Sequence, residues 1–181
     1  MNANEAEMDA QTCTKFRWFW AWQDEKEEQW LDHMSEQGWH VTSLGFPGVY
    51  QFTRGEPRRY VYRLDFKHSM DKDFKEYLQL FADAGWEHIG MRSSWQYFRT
   101  EAREGEQPEI FTDNASKIRK YQRLVGFLIF FLPMYIVMLT NLIEGEREIY
   151  RIFGLVFAAF IVFYAYALIR LVMRIYQLKK S

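Results

Sequence analysis

The chain has 181 residues, of which 49% are hydrophobic and 19% aromatic, a composition that excludes disorder throughout and allows one small domain plus an anchor. The net charge of −1 hides an asymmetry: residues 1–113 carry 13 Lys and Arg against 21 Asp and Glu, whereas residues 114–181 carry 10 against 3. The acidic part argues against nucleic-acid binding through a basic surface, and the basic, apolar remainder favours a lipid bilayer as partner.

Residues 1–13 predict a flexible tail. They are polar and have neither a basic start nor an apolar run, so we expect no signal peptide. They end at Cys13, the one cysteine of the chain. A single thiol forms no internal disulfide and is no metal site by itself.

Residues 14–100 predict an α+β head that contains a repeated motif. Residues 24–39 (DEKEEQWLDHMSEQGW) and 71–86 (DKDFKEYLQLFADAGW) align without gaps at an offset of 47. Each predicts a helix with an apolar face that stops at a glycine, Gly38 or Gly85. The opening run DEKEE is expected to form a solvated helix face.

Alternating strands precede the two helices, at 16–22 and 60–67, and two short strands follow each helix. The two copies, about 15–54 and 60–99, each predict the order strand, helix, strand, strand. We expect both helices on one face of a sheet. Asp24 and Asp71 are expected to cap the helix N-termini, because a carboxylate can accept the free amides of the first turn.

The C-terminal part predicts a two-helix transmembrane hairpin. Residues 124–143 are twenty residues without a charge, and residues 152–169 are another eighteen. At about 1.5 Å per residue, twenty residues span about 30 Å, the thickness of a bilayer core. The alternative, two buried helices of a soluble core, requires a polar face that neither segment has. The predicted segments are a linker with a juxtamembrane basic helix (101–123), transmembrane helices (124–143 and 152–173), an external loop (144–151) and a cytosolic tail (174–181).

Basic residues flank the hairpin on one side of the membrane. Four of them precede the first span and four follow the second: Lys117, Arg119, Lys120, Arg123, Arg170, Arg174, Lys179 and Lys180. The positive-inside rule therefore predicts a multi-pass protein of the cell membrane with both termini in the cytosol. Gly154 and Ala158 lie four residues apart, a spacing that favours self-association or a protein partner through the hairpin.

The head has no recognisable catalytic motif, so we expect no enzyme, no cofactor and no metal. It lacks a nucleotide-binding glycine loop and a nucleophile elbow, and its histidines lack metal-ligand spacing. Strand alternation places Arg63 and Asp65 together, and we expect Arg17, Trp95 and Arg99 beside them on an open sheet face. Such a groove would hold an anionic or peptide ligand. The alternative is a ladder of surface salt bridges between strands.

Several unusual strings within residues 14–120 resemble one family. They are KFRWFWAWQDEKEEQWLDHMSEQGWH, YVYRLDF, DAGWE, WQYFR and PEIFTDNASKI. They resemble the domain-of-unknown-function family numbered 2812. The resemblance implies a bacterial membrane protein with C-terminal transmembrane helices, encoded beside a PadR-type transcriptional repressor. It implies no activity and no catalytic residues.

Three functions are consistent with these features. The first is a membrane-anchored cytosolic binding or sensor module, linked to a PadR-type regulatory system. The second is a structural or accessory subunit of a membrane complex such as a transporter. The third is an enzyme of unrecognised type, for which Arg63 and Asp65 are the first residues to test.

Overall fold

A computed structural model describes residues 11–102, 108–110, 114–143 and 148–180. The chain forms two compact units: Met1–Thr112, called the head below, and Asp113–Ser181, called the hairpin. Residues 1–10 of the predicted tail lie outside the described residues, as do half of the predicted external loop (144–147), parts of the linker and the last residue of the predicted cytosolic tail.

The first half of the head is one three-stranded antiparallel sheet and a helix. Its elements are β1 (Thr12–Phe16), α1 (Asp24–Glu36), β2 (Trp39–Gly45) and β3 (Val49–Arg54). The strand order in the sheet is β1-β3-β2. Strand β3 is therefore central, and the short connection after Gly45 makes β2 and β3 a hairpin.

The second half repeats this arrangement. Its elements are β4 (Tyr60–Phe66), α2 (Phe74–Asp83), β5 (Glu87–Arg92) and β6 (Trp95–Glu101), with strand order β4-β6-β5. Both halves thus have the order strand, helix, strand, strand and the same sheet topology. The α+β class is confirmed, although the head has two separate three-stranded sheets where one sheet was expected.

The two halves also share their irregularities. The β2–β3 register shifts between Val41 and Ser43, and the β5–β6 register shifts between His88 and Gly90, an offset of 47 residues. A positive φ follows each helix at the same offset, at +79° for Gly38 and +83° for Gly85. The offset found in the sequence therefore relates equivalent backbone positions.

The helices bury their apolar faces in two different cores. Leu31 and Met34 of α1 pack in one cluster with residues of both sheets: Val41, Tyr50, Phe52, Tyr62, Leu64 and Tyr97. Phe81 of α2 packs in another, with Val61, Trp86, Phe98 and Ala102. Because Val61 and Tyr62 are neighbours on β4, they lie on opposite faces of the second sheet. The two cores therefore cover opposite faces of that sheet, whereas the sequence predicted both helices on one face.

Two local predictions at helix starts require correction. The aromatic alternation over residues 16–22 predicted a strand, but β1 ends at Phe16, and the carbonyl of Trp20 accepts a turn hydrogen bond from the amide of Gln23 at 2.8 Å. Asp24 is the first residue of α1 and is buried, and Gln23 occupies the N-cap position. Residues 17–22 therefore form an aromatic loop.

Helix α2 likewise starts later than predicted. Its first residue is Phe74, and Asp73 rather than Asp71 precedes it as N-cap. The carboxylates of Asp71 and Asp73 lie 3.1 and 2.7 Å from the ammonium group of Lys67. Both carboxylates thus pair with Lys67, the residue after β4, and Asp73 makes no side-chain hydrogen bond as N-cap.

The hairpin consists of α3 (Asn114–Ile143) and α4 (Glu148–Lys180). Both helices are long and apolar enough to cross a membrane, over Ala115–Leu142 and Ile152–Lys180. In the most apolar 18-residue stretch of each helix, only 6% (α3) and 11% (α4) of the residues are buried. The Tyr135 ring packs 5.3 Å from that of Tyr164, whose hydroxyl donates to the carbonyl of Leu128. The predicted helical hairpin is confirmed.

Candidate functional site

The head contains a buried carboxylate that joins its two halves. Glu27 of α1 is 4% exposed, and its Oε1 accepts hydrogen bonds from the hydroxyls of Tyr50 (2.6 Å) and Tyr97 (2.5 Å). The same oxygen accepts a hydrogen bond of 2.8 Å from Nη2 of Arg92. These partners come from β3, β6 and β5, so one side chain of the first half binds two strands of the second.

Glu27 forms a buried ion pair with Arg92. The guanidinium of Arg92 lies over the rings of Tyr50 and Tyr97, at 4.8 and 5.5 Å from their centroids. Burial and the charge of Glu27 raise the pKa values of Tyr50 and Tyr97, so both remain protonated donors. These hydrogen bonds offset part of the cost of desolvating two charges. Among the described residues, Nη1 of Arg92 has no hydrogen-bond partner.

An aromatic pocket of about 160 Å³ adjoins this ion pair. Its charged lining consists of Asp24, Glu27 and Arg92. Its ring walls come from the aromatic loop, the β2–β3 turn and the start of β6: Trp18, Phe19, Trp20, Phe46 and Trp95. The site therefore combines exposed rings with charges buried beneath them.

Backbone contacts hold the aromatic loop over the pocket. The amide of Arg17 donates to the carbonyl of Gly48 at 2.9 Å, which joins the loop to the β2–β3 turn. Gly48 has a φ of +114°, and a Cβ there would lie 2.6 Å from the carbonyl oxygen of Arg17. Only glycine permits this approach. Trp18 and Trp20 remain 48% and 38% exposed, so they are available to a ligand.

Helix α1 also covers the free edge of the second sheet. β4 is an edge strand, and its outward amides at Leu64 and Tyr62 donate to the carboxylates of Glu28 (2.8 Å) and Asp32 (2.6 Å). Burial raises the pKa of Asp32 to about 6, although the Tyr62 amide and Arg63 act to lower it. These contacts block an edge that would otherwise be open to pairing with another chain.

A second and more open depression, the edge groove, has a volume of about 560 Å³. It is lined by residues of β2 and β5, which are edge strands of their sheets. Arg99 lies in it, bonded to Glu87 through two hydrogen bonds of 2.7 and 2.9 Å, and its guanidinium sits over the ring of Tyr60 at 4.7 Å. The Arg99 guanidinium is thus already satisfied by protein groups.

The five residues of the predicted groove do not meet at one place. In the β4–β6 register, Phe66 pairs with Trp95 and Tyr62 with Arg99, so Trp95 and Arg99 lie on the face opposite Arg63 and Asp65. The alternation was correct within β4. The relation of β4 to β6, which depends on a long-range register, was not available from the sequence.

Each of these side chains has its own surroundings. Asp65 is fully buried and accepts a hydrogen bond of 3.0 Å from Tyr77, because α2 covers the face that was expected to be open. Arg63 lies 3.0 Å from Glu109 and 3.8 Å from Asp32. Arg17 contacts the rings of Phe19 and Trp30. Trp95 lines the aromatic pocket and Arg99 the edge groove.

The central residues of the site were missed. The run DEKEE was expected to be solvated, yet Asp24, Glu27 and Glu28 are at most 7% exposed. The sequence does contain an indication of this burial, because the three residues lie on the same face of the helix as Leu31, at spacings of three and four residues. A carboxylate on the apolar stripe of a helix indicates a buried polar contact.

Within the part of the chain that the structure describes, no group of three or more His, Cys, Asp or Glu residues could hold a metal ion. The fold and site define a class: an α+β head with a buried polar centre, joined to a pair of apolar helices. The family model for "Protein of unknown function (DUF2812)" matches residues 23–132, more than half of the chain. The chain therefore belongs to the DUF2812 family. No curated protein and no solved structure matches it.

Proposed function

We propose that this chain is a membrane-anchored binding module whose head faces the cytosol. The observation that carries the proposal is the exposure of apolar side chains on α3 and α4. Only 6% and 11% of the residues in the most apolar 18-residue stretches of these helices are buried. Apolar surface of this extent is unfavourable in water, and a bilayer would cover it. The basic residues at both ends of the hairpin support an orientation with both termini in the cytosol.

The binding role is supported by the aromatic pocket. Ligand sites are typically lined by apolar and aromatic side chains with a few fixed polar groups. This pocket has that kind of lining, and its volume of about 160 Å³ suits a small ligand. Because the sequence has no recognisable catalytic motif, we propose a non-enzymatic role. A link to a PadR-type repressor is part of the proposal, and its support is the family resemblance alone.

Orientation is tested with single cysteines in intact cells. Cys13 is the one cysteine of the chain. The native protein and the variant Cys13→Ser with Ser181→Cys are exposed to a membrane-impermeant maleimide before and after lysis. We expect both to be labelled only after lysis. Labelling of either in intact cells would contradict the orientation.

Binding is tested with tryptophan fluorescence of the full-length chain in maltoside detergent. All 7 tryptophans lie between residues 18 and 95, so the signal reports on the head. A panel of small aromatic cations, anions and neutral compounds is compared between the native chain and Trp95→Leu. We expect at least one compound to bind saturably and to lose affinity in the variant. If no compound of any charge does so, the binding role is refuted.

The alternative is an accessory subunit of a membrane complex. The spacing of Gly154 and Ala158 favours it; Gly154 is buried in the hairpin and Ala158 is half-buried. Replacing the hairpin by an unrelated two-helix anchor distinguishes the two roles. Under the binding-module proposal the chimaera retains ligand affinity and cellular function, whereas an accessory subunit would lose function.

A further inference from the structure

We propose that the aromatic pocket binds a small organic monocation, such as a quaternary ammonium compound or a protonated amine. This inference rests on the proposed function, because it names the chemical class of ligand for the same pocket. Three properties of the pocket carry it: the sign of its charge, the nature of its walls and its size.

The charges of the pocket favour a cation over an anion. Asp24 and Glu27 carry two negative charges and Arg92 one positive charge, so the lining has a formal charge of −1. The positive charge of Arg92 is compensated locally by Glu27, 2.8 Å away. Residues 1–113 carry 13 basic against 21 acidic side chains, so the longer-range field of the head has the same sign.

The ring walls favour a cation for an independent reason. The face of an aromatic ring is electron-rich and attracts a cation within about 6 Å of its centroid. One ring of the pocket wall and one ring next to the pocket already bind cations in this way: Arg17 lies 5.1 Å from the Phe19 centroid and Arg92 lies 4.8 Å from the Tyr50 centroid. An anion would face the same electron density and be repelled by it.

The size of the pocket limits the ligand. An apolar cavity of about 150 Å³ holds a benzene molecule. The 160 Å³ of the aromatic pocket therefore suits one ring or one trimethylammonium group. Phe46 and Trp18, which are 77% and 48% exposed, leave the entrance in contact with solvent, so a larger substituent can extend outward.

The competing possibility is an anion that pairs with Nη1 of Arg92, the atom without a hydrogen-bond partner among the described residues.

Three probes distinguish a cation site from an anion site: benzyltrimethylammonium, benzyl alcohol and benzylsulfonate. They share a benzyl group and carry charges of +1, 0 and −1. Each is titrated into the full-length chain in maltoside detergent, with tryptophan fluorescence and calorimetry as readouts.

We expect benzyltrimethylammonium to bind at least about tenfold more tightly than benzyl alcohol, and benzylsulfonate to bind most weakly. Asp24→Asn should weaken cation binding about tenfold and leave alcohol binding unchanged. Phe46→Leu provides a second variant. Because Phe46 is 77% exposed, we expect this change to preserve the fold and to weaken cation binding. Asp83→Asn, an exposed aspartate on α2, is the matched control and should bind as the native chain does.

Tighter binding of benzylsulfonate would overturn the ligand class and leave the pocket as a binding site. Equal binding of all three probes, unaffected by Phe46→Leu, would overturn the inference as well. Absence of binding by every probe has the same consequence. The proposed binding role would still be decided separately by the wider panel and by Trp95→Leu.

Discussion

The carboxylate of Glu27 and the guanidinium of Arg92 lie 2.8 Å apart inside the head and join helix α1 of the first half to strand β5 of the second. Their side chains are only 6% and 14% exposed. The two halves are therefore tied through a buried ion pair, and the aromatic pocket lies directly against it.

Removing one member of this pair should destabilise the head strongly. Arg92→Met leaves the Glu27 charge buried without its cation, which typically costs about 3–5 kcal/mol of unfolding free energy. Combining it with Glu27→Gln removes both charges, so the double variant should lose less than the sum of the single losses. Chemical denaturation followed by tryptophan fluorescence measures each loss. Additive losses would show that the two side chains are not coupled.

The hydrogen bond from the Leu64 amide to Glu28 should stabilise the edge of β4. Glu28→Ala leaves this buried amide without its acceptor, and we expect a loss of about 1–3 kcal/mol. Glu28→Gln keeps an acceptor oxygen and should lose less, while Glu25→Ala, at an exposed position on the same helix, should lose little. Light scattering would report edge pairing between chains. Equal stability of Glu28→Ala and Glu25→Ala would refute the role of Glu28.

Asp32 should make stability depend on pH. Its pKa is raised to about 6 in the folded head, against 3.8 for an ordinary aspartate, so the folded state binds the proton more tightly than the unfolded state. The contribution of this group to stability is therefore full below about pH 4 and is lost as pH rises through 6, by about 3 kcal/mol. Asp32→Asn cannot titrate. The difference between the two unfolding free energies should change between pH 4 and 7, and a constant difference would contradict the assignment.

Gly38 and Gly85 provide a matched pair of positions. Both have a positive φ, so an alanine at either costs about 1–2 kcal/mol through backbone strain. A Cβ at Gly38 would also lie 2.6 Å from the carbonyl oxygen of Gly55, whereas a Cβ at Gly85 meets nothing within 4 Å. Gly38→Ala should therefore lose more unfolding free energy than Gly85→Ala. Equal losses would show that the contact with Gly55 relaxes freely.

Local features of the fold were predictable, and relations between distant elements were not. The helices at Asp24–Glu36 and Phe74–Asp83 follow from their apolar spacing and from the glycines after them, which are local signals. The burial of Asp65 depends on α2 covering that face of the second sheet, and the separation of Arg99 from Arg63 depends on the register of β4 with β6. Neither relation is encoded in a single segment.

The candidate site also combines local features, which were predictable, with contacts between distant elements, which were not. The aromatic loop alternates as a strand does, and its departure from the sheet depends on contacts with Gly48 and Gln23. Glu27 lies on the apolar stripe of α1, but its partners Tyr50, Arg92 and Tyr97 come from three other elements. The sequence analysis expected this run to be solvated, so the burial of Glu27 was missed, and only the folded chain identifies what Glu27 binds.

Anchoring by the hairpin is tested most directly by fractionation of cells that express the full-length chain. Lysate free of detergent is centrifuged at high speed, and the pellet is washed with alkaline carbonate, which releases peripheral proteins. The expected result is that the chain stays in the washed pellet, and that a chain truncated before Asn114 moves to the supernatant. Recovery of the full-length chain in the supernatant would contradict the membrane anchor and the cytosolic placement of the head.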